Sequence, residues 1–70
     1  MTKYTIKPAS LRRLFGIAPT ESLTDWQFAA YYRREEAEEK ATRARSEGNE
    51  VRGPERFKTD GNWIVAKRHR

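Results

Sequence analysis

A long stretch in the middle of this 70-residue chain cannot supply a hydrophobic core. From Arg33 to Glu47 no apolar residue is larger than alanine, so the large apolar side chains come from the two ends of the chain. A domain of this length buries only about 60% of the surface that its unfolded chain exposes. We therefore expect a single small domain over residues 1–70, with one core. This excludes a multidomain enzyme and a sizeable buried cofactor pocket.

Other common means of stabilising or anchoring a small chain are missing from the sequence. Without cysteine, neither a disulfide framework nor a thiolate metal site can form. No apolar run reaches the roughly 18 residues of a membrane-spanning helix, and the first residues do not form a signal peptide. We expect a cytoplasmic protein that uses no cofactor, inserts into no membrane and acts on no small-molecule substrate.

Positive charge is concentrated at the two ends of the chain. Of the net charge of +5, residues 1–22 contribute four basic against one acidic side chain, and residues 48–70 contribute six against three. Residues 23–47 are nearly neutral, with five basic and six acidic side chains. Clustered lysine and arginine is the electrostatic pattern of a nucleic-acid-binding protein. A small domain also carries such a charge for solubility alone.

Short periodic patterns predict the first two elements. Alternating apolar and polar residues predict a strand over residues 3–7. Leu11, Leu14 and Phe15 have the spacing of one face of a short helix. Gly16 follows, where a left-handed residue ends a helix.

A capping-box pattern predicts a long second helix. In Thr24-Asp25-Trp26-Gln27 the Thr24 and Gln27 side chains can satisfy each other's backbone N–H groups. No glycine or proline follows until Gly48, so the sequence predicts one long helix of about 23 residues, to Glu47. An alanine stripe along it fits either a solvent-exposed face or the close approach of a partner or second copy: Ala30, Ala37, Ala41 and Ala44.

A C-terminal β-hairpin is predicted by Asp60-Gly61, which lies between two β-prone runs, after a loop over residues 48–54. A two-residue turn would place Phe57 on the face of Ile64. A three-residue turn would place it with Trp63 and Val65, and is favoured because it gathers more apolar surface. The predicted fold class is α+β: a short N-terminal strand, a short helix, one long helix and a C-terminal hairpin.

Residues that could carry catalysis are scarce. His69 lies in the terminal tail, where nothing is expected to orient it. Glutamates 35, 36, 38 and 39 share their stretch with basic residues, which indicates a solvated, ion-paired face. We expect no catalytic residue, no metal site and no enzyme activity.

Two segments resemble the small winged-helix DNA-binding domains of the phage excisionase and MerR type. Residues 48–54, Phe57 and the run Asp60 to Val65 look like the loop and wing of those domains. Leu11 to Ile17 is similar to their first helix and its turn. The resemblance implies a wing that contacts phosphates or the minor groove, a helix in the major groove, and a role in transcription regulation.

Two functions follow as expectations. In the first, a non-enzymatic regulatory or accessory protein binds DNA, or RNA, through its basic N-terminal helix and its hairpin. The phosphate contacts would come from Arg12, Arg13, Arg52, Arg56, Lys58, Lys67, Arg68 and Arg70. In the second, a protein-interaction module, such as a phage-type inhibitor, docks its long helix on a host protein complex or forms a homodimer through it. That interface would hold Tyr31, Tyr32, Arg33 and Arg34.

Overall fold

The computed structural model describes residues 8–69, which form two helices and a three-stranded antiparallel sheet. The elements in chain order are α1 (Pro8–Phe15), a short 3-10 helix (Leu23–Asp25), β1 (Trp26–Tyr31), α2 (Arg34–Ser46), β2 (Glu50–Arg56) and β3 (Trp63–Arg68). The strand order is β1-β3-β2, which leaves β3 in the centre. The fold is therefore α+β, as predicted. The strand predicted over residues 3–7 lies outside the described residues.

The first helix and its end are as predicted. Helix α1 ends at Phe15, and Gly16 follows with a φ of +66°. The N–H of Ile17 then donates to the carbonyl of Arg12 at 2.9 Å, which closes the last turn. Phe15 and Ile17 are both buried, so this turn brings two large apolar side chains onto the sheet.

The two helices cover opposite faces of the sheet, because successive residues of β3 point to opposite sides. Ile64 and Ala66 face α1, whereas Val65 faces α2. The buried cluster on the α1 side consists of Phe15, Ile17, Trp26, Ile64 and Ala66, and that on the α2 side of Ala37, Ala41 and Val65.

The prediction of one long helix over residues 25–47 is wrong. Residues 26–31 form β1, and α2 begins only at Arg34. The local reason is the alternation of Trp26, Phe28 and Ala30, which places both large rings on the sheet face that packs against α1. Trp26 is buried and Phe28 is half-buried, so both belong to the core.

Helix α2 ends as predicted but packs differently. After Ser46, Gly48 adopts a φ of +89°, and the N–H of Asn49 donates to the carbonyl of Ala44 at 3.1 Å. The alanine stripe on this helix is neither solvated nor a partner surface. Ala37 and Ala41 are fully buried against the sheet of the same chain, because small side chains let the helix lie close to it.

The predicted loop over residues 48–54 is also wrong, because β2 runs from Glu50 to Arg56. Gly53 and Pro54 interrupt its pairing with β3 at a register shift between Arg52 and Glu55. An edge strand tolerates proline at such an irregularity. Gly53 has a φ of +95°, and a Cβ there would lie 2.8 Å from the carbonyl oxygen of Ile64. This crossing of α1, β2 and β3 therefore requires glycine.

The hairpin turn is longer than either predicted turn. Phe57 donates its N–H to the carbonyl of Asn62 at 2.8 Å, which leaves residues 58–61 as the turn. Phe57 consequently packs on the α1 side with Ile64, whereas Trp63 and Val65 face α2. The favoured grouping of Phe57 with Trp63 and Val65 is therefore wrong.

Candidate functional site

Two of the predicted phosphate-binding arginines are used inside the fold. The guanidinium carbons of Arg52 and Arg68 lie 5.2 and 4.6 Å from the ring centroid of buried Trp26. Arg52 also donates to the carbonyl oxygen of Phe15 at 3.1 Å, at the end of α1. Within residues 8–69, Nε1 of Trp26 is buried without a hydrogen-bond partner, so contacts of its ring hold the indole in place.

Arg68 is additionally held by two carboxylates. Its guanidinium donates to Oε1 of Glu50 on the neighbouring end of β2, and its Nη1 lies 3.1 Å from Oε1 of Glu21. The pKa of Arg68 is raised above its ordinary value, mainly by the hydrogen bond with Glu50. This arginine ties both edges of the sheet and the loop before β1 together, so its charge is already paired inside the fold.

Arg12 also makes hydrogen bonds inside the fold. Its Nη1 donates to the carbonyl oxygens of Ala18 at 2.6 Å and Glu21 at 2.8 Å. The side chain thus fixes the loop between α1 and the 3-10 helix. The expectation that Arg12, Arg52 and Arg68 are available to phosphates is therefore not supported by their geometry, and Arg70 lies outside the described residues.

Three other predicted cations come together in one place. A groove of about 350 Å³ separates α1 from the tip of the hairpin. We call it the α1–hairpin groove; its lining residues are Ser10, Arg13, Leu14, Arg56, Phe57, Lys58 and Thr59. Arg13, Arg56 and Lys58 are exposed and make no ion pair with the described residues, and no lining residue is acidic.

A second groove of about 370 Å³ lies on the opposite face, between β1 and α2. Gln27, Ala29 and Tyr31 line it from β1, and Val65 and Lys67 from β3. Helix α2 contributes Lys40, Arg43 and Ala44, which lie on one of its faces, and Glu47 lines the groove directly after the helix. We call it the β1–α2 groove. Lys67 lines this groove on the α2 side of the sheet and therefore lies apart from Arg13, Arg56 and Lys58.

The four residues predicted to bind a protein partner lie in different environments. Tyr31 lines the β1–α2 groove, and its pKa is raised by burial and by the nearby charge of Glu36. Tyr32 is 87% exposed beyond the end of β1. Arg33 precedes α2, whereas Arg34 lies over the Trp63 ring at 5.4 Å and pairs with Glu38 at 2.9 Å.

Sequence reasoning missed Lys40 and Arg43 as candidate binding residues. Both belong to the acid-rich stretch, where an ion-paired solvent face was expected. Their shared feature is the three-residue spacing that puts them on one helical face, but only the packing of α2 shows that this face borders a groove.

Within residues 8–69, no group of three histidine, cysteine, aspartate or glutamate side chains is arranged to hold a metal ion. His69 is exposed after the end of β3. None of the helices in this part of the chain has the length and apolar character needed to cross a membrane. Comparison of the chain with protein-family models, curated proteins and solved structures finds no match.

Proposed function

We propose that this protein binds nucleic acid without catalysing a reaction, and that the α1–hairpin groove holds the phosphates. The observation that carries the proposal is the convergence of Arg13, Arg56 and Lys58 on a groove without an acidic lining residue. A polyanion can neutralise all three cations there without disturbing an internal ion pair. Lysine and arginine contacts of this kind supply most of the affinity of non-specific nucleic-acid binding.

The hairpin has the role of a wing in this proposal. Its tip contributes Arg56 and Lys58 to the lining of the groove, and α1 contributes Arg13. The ideal Cβ position of Gly61 lies 3.8 Å from Nη2 of Arg56, which places that guanidinium beside the turn. A winged-helix-like mode of binding, with the wing on the phosphates, is therefore part of the proposal.

Helix α2 is not the element that we expect to enter a major groove. One of its faces is buried against the sheet through Ala37 and Ala41. Its exposed positions include Glu35, Glu38 and Glu39, whose charges would repel phosphates. Because phosphate contacts position a protein but carry little sequence information, we propose binding with weak sequence preference, as in an accessory or regulatory protein.

Two triple variants with the same net charge test which groove binds. In one, Arg13, Arg56 and Lys58 are replaced by alanine; in the matched control, Lys40, Arg43 and Lys67 are replaced. Binding to fluorescein-labelled duplex and single-stranded DNA of random sequence is measured by anisotropy at low salt. We expect the first variant to lose on the order of tenfold or more in affinity, and the control to lose far less.

Equal losses in the two variants would show that net charge alone, and not the α1–hairpin groove, determines binding. Undetectable binding of the wild-type protein to both DNA forms at low salt would refute the proposed function. Circular dichroism of each variant shows whether the fold is intact before affinities are compared.

A further inference from the structure

We propose that the β1–α2 groove binds an acidic segment of a partner protein, which adds as an extended strand along the outer edge of β1. This surface lies on the face of the sheet opposite α1, and the inference does not depend on the proposed nucleic-acid binding. It rests on the strand order, on the shape of the groove and on the charges that line it.

The strand order provides an edge for the segment. Strand β1 is first in the order β1-β3-β2, so within residues 8–69 only its inner edge is paired. Its six residues, Trp26–Tyr31, extend over about 20 Å at 3.4 Å per residue. An edge of this length offers a row of backbone N–H and C=O groups to a peptide in extended conformation.

The packing of α2 provides the space beside that edge. The helix contacts the sheet through Ala37 and Ala41, over Val65 of the central strand and Val51 of β2. The same cluster includes Tyr31 at the end of β1, whereas the space over Ala29 in the middle of that strand stays open as part of the groove. The floor is small, which leaves room for those side chains of an extended peptide that point to the α2 side of the sheet, where the lining cations also lie.

The lining charges determine the character of the segment. Lys40, Arg43 and Lys67 line the groove with one acidic residue, Glu47. An acidic peptide is complementary to this set. The N-terminal segment of the chain brings Lys3 and Lys7, and a second copy brings another set of the same cations, so both would be repelled.

The edge also distinguishes a peptide from nucleic acid, which is likewise anionic. A strand edge pairs with peptide backbone groups at matching intervals, and a sugar–phosphate chain has no such pattern of donors and acceptors. The apolar floor formed by Ala29, Ala44 and Val65 offers nothing to a phosphate. We therefore assign the groove to a peptide.

The test uses a fluorescein-labelled peptide of three Asp-Val repeats, with Lys-Val and Ser-Val repeats as controls. Anisotropy measures affinity for the full chain, and ¹⁵N–¹H spectra locate the binding. We expect the acidic peptide alone to bind, with the largest shifts in the amides of Gln27 to Tyr31. Lys40→Glu with Lys67→Glu should weaken binding by on the order of tenfold or more. Arg13→Glu with Lys58→Glu, which changes the charge equally, should leave it nearly unchanged.

An uncharged variant tests the shape of the groove separately. Ala29→Phe introduces a good strand former and fills the floor, so it should abolish peptide binding while the circular dichroism spectrum remains that of a folded protein.

Several outcomes would overturn the proposal. One is the absence of peptide binding at millimolar concentration, and another is amide shifts confined to the α1–hairpin groove. Equal loss of peptide affinity in the two charge-reversal variants would also overturn it. So would displacement of the labelled peptide more strongly by a thymidine hexanucleotide than by unlabelled peptide. Dissociation of a homodimer on addition of the peptide would also overturn it, because the occupant would then be a second copy. None of these outcomes depends on the DNA affinity of the alanine variants, so the two proposals fail independently.

Discussion

Gly53→Ala tests whether the crossing of α1, β2 and β3 is as close as the structure shows. The residue has a φ of +95°, and an added Cβ would meet the carbonyl oxygen of Ile64 at 2.8 Å and Cε1 of Phe15 at 3.0 Å. Both neighbours belong to buried residues, so neither can move away easily. The substitution therefore combines an unfavourable backbone conformation with overpacking.

These two contributions determine how much stability Gly53→Ala should lose. A positive φ costs alanine about 1–2 kcal/mol, and overpacking of a well-packed site costs about 1–3 kcal/mol. The free energy of unfolding should fall by about 2–5 kcal/mol in total. Gly48→Ala is the matched control, because its φ is +89° and its Cβ would meet nothing within 4 Å. It should cost only the backbone contribution.

The assay is urea unfolding followed by tryptophan fluorescence, since Trp26 is buried and Trp63 packs against α2. Thermal unfolding gives a second measure, with about 4–8 °C expected for each kcal/mol in a domain of this size. Equal destabilisation by Gly53→Ala and Gly48→Ala would refute the close contact with Ile64 and Phe15. A smaller effect of Gly53→Ala than of Gly48→Ala would refute the position of β2.

A buried position of α2, an internal arginine and a tyrosine with a raised pKa each give a further prediction. Ala37→Glu puts a carboxylate into a fully buried position and should lower the free energy of unfolding by several kcal/mol or prevent folding. The control, Thr42→Glu on the exposed side of α2, should change the free energy of unfolding by no more than about 0.5 kcal/mol, as measured by urea unfolding. Arg52→Met removes a hydrogen bond to the end of α1 and a cation over the indole, and should cost about 1–2 kcal/mol in the same assay; an unchanged unfolding midpoint would contradict this. The pKa of Tyr31 is raised in the folded state, so its contribution to stability is complete below the unfolded-state pKa near 10.0 and is lost as pH rises through the folded-state pKa. The free energy of unfolding should therefore fall above about pH 10, and less steeply in Glu36→Gln. A pH profile of Tyr31→Phe identical to that of the wild type would contradict the assignment.

The elements that could be predicted from sequence are those specified locally. Helix α1 carries its own apolar face, and Gly16 ends it with a hydrogen bond between residues five apart. The stop after α2 at Gly48 is equally local. In these places the residues that determine the structure are neighbours in the chain.

The errors arise where a distant partner decides between two local possibilities. The pattern Thr24-Asp25-Trp26-Gln27 is compatible with a helix start. The 3-10 helix ends at Asp25, however, and pairing of β1 with β3, about forty residues later, makes Trp26 the start of a strand. Gly53 and Pro54 suggest a loop, yet an edge strand accommodates them at a register shift.

The candidate site could be predicted only in part for the same reason. Arg13, Arg56 and Lys58 were among the expected phosphate contacts, and the structure brings them to one groove. Arg52 and Arg68 belong to the same basic end of the sequence as Arg56 and Lys58. Inside the fold, however, Arg52 donates to the carbonyl oxygen of Phe15 and Arg68 donates to Glu50. Net charge alone does not show which cations are used internally, because their partners are distant in sequence.

The central claim is that the α1–hairpin groove binds nucleic acid through three phosphate contacts. It is tested most directly by the slope of log affinity against log salt for duplex DNA. Loss of the three contacts should reduce the magnitude of that slope by about 2–3 in the variant without Arg13, Arg56 and Lys58. The matched variant without Lys40, Arg43 and Lys67 should keep the wild-type slope. Slopes that fall equally in both variants, or that stay unchanged in the first, would contradict the claim.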